Sequence, residues 1–142
     1  MNSAAFQAGK DKPPIFRPSQ IVYLEHGLTR LYAEVVQFVE IRCQCWVRPL
    51  ALVSQSDRFI DWTDCNRLAL QDLRDGSDLM CPAVLFKLAL DTDVIPLLSW
   101  LYSLDANPDL KAKAKPASQQ LHQFIHIIWQ AHPEVFSSKQ AR

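Results

Sequence analysis

Cys43 and Cys45 stand two apart in a β-prone stretch, with Cys65 and Cys81 further along, and four thiolates can hold a zinc ion. On a strand, residues two apart point to the same side, so the first pair could meet one metal. Structural zinc sites draw instead on Cys-x-x-Cys knuckles, whose turn brings both sulfurs to the ion. No such pair occurs in this chain. Cysteine also packs as a small apolar side chain, and core packing is the expected state of these residues.

His122 and His126 are four apart, one helical turn, which places two imidazoles on one side of a helix. No glutamate follows His122 as in zinc proteases, and no third ligand is anchored nearby. An exposed histidine pair is the expected state, and neither metal nor cofactor is expected. Acidic residues gather at Asp57, Asp61 and Asp64 and again at Asp72, Asp75 and Asp78. The second group lacks the glutamate that closes a calcium loop, and turn chemistry accounts for Asp75 and Asp78. No nucleophile or oxyanion donor is identifiable beside these carboxylates. With three glycines and no GxGxxG, GxxxxGK[ST] or GxSxG, the familiar nucleotide and hydrolase designs are excluded. The expectation is a chain without catalytic residues.

Trp46, Arg48, Trp62 and Trp100 are the stronger binding candidates, because tryptophan and arginine dominate the energetic centres of interfaces. Trp46 and Arg48 share one side of a strand, opposite Cys43 and Cys45. Tyr32 and, on the last helix, Trp129 complete the expected partner-binding set. The competing reading makes Trp46 core and pairs Arg48 with Glu34 or Glu40 across the sheet.

The elements that must position these residues follow from periodicity. Residues 21–24 read as a short strand, and Gly27 supplies the positive φ of a tight reversal. Residues 28–41 are rich in β-branched and aromatic side chains, with Leu31, Ala33, Val35, Val39 and Ile41 on one face. Arg30, Tyr32, Glu34 and Glu40 share the other, with Val36 and Phe38 between them. Leu28, Leu31, Tyr32, Val35, Val36 and Val39 also fit a helical stripe, but the β-branched density favours a strand. Residues 42–53 give a further strand, in which Pro49 demands an edge or a bulge. Residues 59–62 and 68–73 are short strand candidates, and Asp75-Gly76 is the strongest hairpin signal, returning through 79–81 to Pro82. Residues 83–90 are a short helix or connector. A helix capped by Asp91 or Thr92 runs to about Leu104, with Pro96 tolerable only in its first turn. After a linker over 105–116, a last helix runs from Pro116 to about His132, where Pro133 ends it, with Leu121, Phe124, Ile125 and Ile128 as its apolar stripe.

The whole is one α+β domain: a twisted, mainly antiparallel sheet of about five strands, curled toward a small barrel in one version, followed by two or three helices. Residues 1–19 read as a flexible arm onto which Ile15 and Phe16 could dock, 20–132 as the domain, and 133–142 as a C-terminal tail. The 142-residue length suits one domain. Fifteen basic and fifteen acidic residues cancel, which disfavours a general nucleic-acid binder. A small barrel presenting Arg30, Tyr32, Phe38, Arg42, Trp46 and Arg48 to bases is the alternative. A metal-binding or enzymatic role for the cysteines or His122/His126 is the third reading. No apolar run spans a bilayer, and residues 1–14 lack the pattern of a signal peptide. A soluble, cytoplasmic protein is expected.

The segments CWVRPLALV (45–53), DLRDGSDL (72–79) and ALDTDVIPLL (89–98) resemble those of small, uncharacterised soluble proteins of cyanobacteria. The resemblance covers about residues 21–104 and carries no catalytic residue. It implies a cytoplasmic accessory protein in a photosynthetic bacterium, serving assembly or regulation of a larger complex. The leading expectation is therefore a non-catalytic protein that binds a protein partner.

Overall fold

The computed structural model describes residues 15–56, 61–64, 68–109 and 118–140, the last four by backbone alone. Six strands, β1 (Ile21–His26), β2 (Thr29–Val39), β3 (Gln44–Ser54), β4 (Ala69–Asp72), β5 (Leu79–Pro82) and β6 (Lys87–Leu88), precede three helices, α1 (Asp91–Ala106), α2 (Ser118–Ala131) and α3 (Pro133–Gln140). The fold is α+β. Its sheet runs β4-β3-β2-β1-β6, with β5 also paired to β3, and it is open rather than closed into a barrel.

β1, β2 and β3 form a meander. Gly27, at φ 60°, takes the first position of the two-residue reversal between His26 and Thr29, the backbone setting that glycine occupies at least cost. The helical stripe over residues 28–39 loses to strand because β2 is paired to β3 along its length and to β1 over residues 29–34. The β2–β3 ladder slips twice, between Tyr32 and Ala33 and between Val35 and Gln37. The first slip puts its extra residue, Leu50, in β3 and leaves Leu31 and Ala33 on one face of β2. The second puts its extra residue in β2 and inverts the alternation beyond it, at the Gln37 interruption of the expected face. Phe38 therefore packs with Val35 on one core, while Gln37 comes into register with Trp46.

β3 is the central strand and begins at Gln44, not at residue 42. Glu40–Arg42 is a 3-10 turn, and Cys43 closes it in the left-handed region at φ 54°. Pro49 is fully buried at the slip opposite Ala33, so the bulge rather than the edge accommodates it. It also falls between the segments of β3 that pair with β5 (44–47) and with β4 (51–54). The Asp75-Gly76 signal does not make a hairpin. β4 and β5 pair with β3, not with each other, and lie end to end along it with residues 73–78 as the excursion between them. Residues 61–64 form a turn rather than a strand, while 59 and 60 lie outside the described residues.

Both faces of the sheet bury apolar side chains. On one, Val22, Leu24, Leu31, Ala33, Val35, Cys45 and Val47 meet Leu121, Phe124 and Ile128 of α2. On the other, Tyr32, Ala51 and Val53 meet Leu97 and Leu101 of α1. α1 starts at Asp91 without a side-chain cap and carries Pro96 in its interior, beyond the first turn to which the proline was expected to be confined. Its ends are held by arginines: Arg30 reaches Asp93 at 3.2 Å and Arg74 reaches Asp105 at 2.9 Å.

At the termini the expected boundaries move. Phe16 is a core residue, edge-on to Phe86 at 6.5 Å, and Ile15 is exposed. Ser19 and Gln20 both bond to Val35 through their backbones, so the ordered domain begins before residue 20. Residues 1–14 of the expected arm lie outside the described residues, as does most of the 105–116 linker. Pro133 ends α2 and opens α3, so most of the expected tail is helix. No helix among the described residues is long and apolar enough to cross a membrane.

Candidate partner-binding face

α1 covers only part of its side of the sheet. Past the first slip in β2, the face carries Trp46 and Arg48 of β3, both exposed, and Trp46 belongs to neither core. Across the ladder, Trp46 stands opposite Met80 of β5 on one flank and Gln37 of β2 on the other. The backbone bond from Ala83 N–H to the Cys43 carbonyl at 2.9 Å sets the alternation of the β3–β5 ladder. By that alternation Cys45 and Cys81 form a bonded pair, and Trp46 and Met80 a non-bonded one, whose Cα atoms approach to about 4.5 Å. Indole and thioether are thus neighbours, 36% and 52% exposed, in one apolar strip.

Asp78 organises the polar half of the site. Its carboxylate accepts the Trp46 indole N–H at 2.9 Å on one oxygen and Arg48 Nε at 3.4 Å on the other. The expected pairing of Arg48 with Glu34 or Glu40 gives way to Asp78, although Glu34 is its register neighbour in β2. One carboxylate therefore sets the orientation of both candidate side chains while the Arg48 side chain stays 54% exposed. On the same side of β3, two residues before Trp46, the Gln44 side-chain oxygen is buried with no hydrogen-bond partner among the described residues. Such an atom costs the fold about 1–3 kcal/mol.

Tyr32 does not join this surface. It is 2% exposed beneath α1, and its hydroxyl accepts a hydrogen bond from Arg30 at 2.8 Å. Burial disfavours the phenolate and pushes its pKa up to about 12, against the opposing pull of Arg30. Trp129 is 52% exposed, but it projects from α2, which covers the opposite face of the sheet. Its ring meets His126 and Phe136, each at 6.3 Å. The expected set thus divides into Trp46 with Arg48 on one side, Trp129 on the other, and Tyr32 inside. Trp62 lies over the Arg30 guanidinium at 4.3 Å, and Trp100 packs against the α1 core.

Asp78 and Met80 were legible only as a turn residue and a strand residue. Their period-two spacing puts them beside Trp46 once the β3–β5 register is known.

The remaining candidates separate. Cys45 and Cys81 are buried directly opposite one another, Cys43 is exposed, and Cys65 lies outside the described residues. Burial pushes the Cys45 thiol up to about 11. No group of three or more His, Cys, Asp or Glu among the described residues could hold a metal. Asp57 is outside the described residues, while Asp61 caps its own turn by accepting the Thr63 N–H at 3.0 Å. That bond holds the Asp61 carboxyl below its usual range. Asp72 is clasped by Arg74 through both oxygens at 2.9 Å. His122 and His126 are both exposed on α2.

No protein-family model, no curated protein and no solved structure matches the chain.

Proposed function

We propose that this is a non-catalytic accessory, assembly or regulatory factor that binds a protein partner through the Trp46–Arg48–Met80 face. The observation that carries the reading is a half-exposed tryptophan beside an exposed methionine, on sheet surface that α1 leaves open. Tryptophan, arginine and methionine are the residue types enriched at interfaces. Asp78 holds two of them in place before any partner arrives, which reduces the ordering cost of association. The cytoplasmic setting and the cyanobacterial origin implied by the resembling segments belong to the same proposal.

The nucleic-acid alternative loses support at Tyr32, which is buried, at Phe38, which packs on the core, and at Arg30, whose guanidinium is engaged by Glu25, Tyr32 and Asp93. The test is co-purification from native lysate with the doubly substituted Trp46→Ala, Arg48→Ala chain. Loss of a stoichiometric partner with a melting curve within a few degrees of the parent supports the proposal. Retention of that partner by the double variant removes it.

A further inference from the structure

We propose that His122 and His126 form a two-imidazole chelate for a late first-row divalent cation (Cu2+, Ni2+ or Zn2+) on the solvent side of α2. α2 is helical throughout Ser118–Ala131, so residues four apart sit on adjacent turns with Cβ atoms about 5–6 Å apart. Leu121, Phe124 and Ile128 turn toward the sheet, which aims the two histidines toward solvent. Both side chains are exposed, and among the described residues neither imidazole is in an ion pair, whereas His132 lies 4.0 Å from Glu134.

The edge of Trp129 packs against the His126 ring, with centroids 6.3 Å apart. Imidazole nitrogen suits copper, nickel and zinc, whereas calcium and magnesium require oxygen ligands. The polar residues flanking the pair on α2, Ser118, Gln119, Gln123 and Gln130, carry no carboxylate to favour the harder ions. Two protein ligands leave the other coordination positions to water. The site is thus open and exchangeable, unlike a closed structural zinc site. It stands on the opposite side of the sheet from Trp46 and is independent of the partner-binding proposal.

The test is titration of the untagged full chain with Ni2+, followed by calorimetry and by the imidazole proton NMR signals. The expected result is one saturable site whose paramagnetic broadening strikes His122 and His126 together and before His26 and His132. His122→Ala and His126→Ala should each abolish the saturable heat while leaving the circular dichroism spectrum intact. Cys43→Ser should leave it unchanged, which separates the chelate from the exposed thiol. Saturable heat that survives either histidine substitution, broadening spread evenly over all four histidines, or no saturable heat in the parent chain would overturn the assignment.

Discussion

Arg30 and Asp93 meet at 3.2 Å across the join between the sheet and the first turn of α1, with side chains only 11% and 10% exposed. The same guanidinium bonds Glu25 at 2.8 Å and the Tyr32 hydroxyl at 2.8 Å, and it is stacked between Tyr23 at 4.1 Å and Trp62 at 4.3 Å. Burial works against the charged form, and the hydrogen bonds to Tyr32 and Glu25 outweigh it, so the Arg30 pKa is raised. A desolvated arginine with this many partners is a strong anchor, because removing it strands Asp93 as a buried charge at the sheet–helix join.

Arg30→Met keeps the stem and deletes the charge. The expected loss is about 3–5 kcal/mol, read as a lowered urea midpoint at unchanged slope. A loss below roughly 0.5 kcal/mol, the level of an exposed ion pair, would show that the anchor is dispensable.

Alkaline pH should unfold the protein through Cys45 and Tyr32. Both are buried, and their folded-state values are raised, from 9.0 to about 11 and from 10.0 to about 12. Below the unfolded values both groups are protonated in either state, and this stabilisation is fully present. As pH rises, the unfolded chain ionises first, so stability falls from about pH 9 and the loss saturates above about pH 12. Each group contributes roughly 2–3 kcal/mol to the total fall. Urea midpoints measured from pH 8 to 12 check this. Cys45→Ala should flatten the lower part of the fall and Tyr32→Phe the upper part, and unchanged curves for both variants would refute it.

Thiol accessibility gives a third check. Cys43 is exposed while Cys45 and Cys81 are buried, and only an exposed thiolate reacts readily. Alkylation of the native chain, mapped by peptide mass spectrometry, should modify Cys43 within minutes and leave Cys45 protected until denaturant is added. Equal rates at Cys43 and Cys45 would contradict the burial of β3.

Much of this architecture could be read from residue order, because the signals were local. Gly27 marked the first reversal, the β-branched density over 28–39 marked β2, and the stripe of Leu121, Phe124 and Ile128 marked α2. Period two also put Trp46 and Arg48 on one side. What stayed hidden depends on register between distant segments. The slips at Ala33 and Gln37 are set by how β2 meets β3, and the second reassigns Phe38 and Gln37. Asp75-Gly76 looked like a hairpin because the dipeptide cannot report that both flanking segments pair with β3. Tyr32 looked accessible because its face of β2 is covered at one end and open at the other, a distinction made by distant segments, α1 with Trp62 and Leu68. Pro133 read as a stop, since proline ends one helix by the same property that lets it begin the next.

The order of elements along the chain has a consequence during synthesis. All six strands among the described residues precede α1 and α2, which supply the lids for the two faces. At about 5–20 residues per second, the stretch from β6 to the end of α2 takes several seconds to emerge. Through that interval a nascent meander carries Val22, Leu24, Val35 and Val47 wetted on one side and Ala51 and Val53 on the other. The hazard of this topology therefore lies in the half-made polypeptide, whose apolar sheet faces precede the helices that cover them.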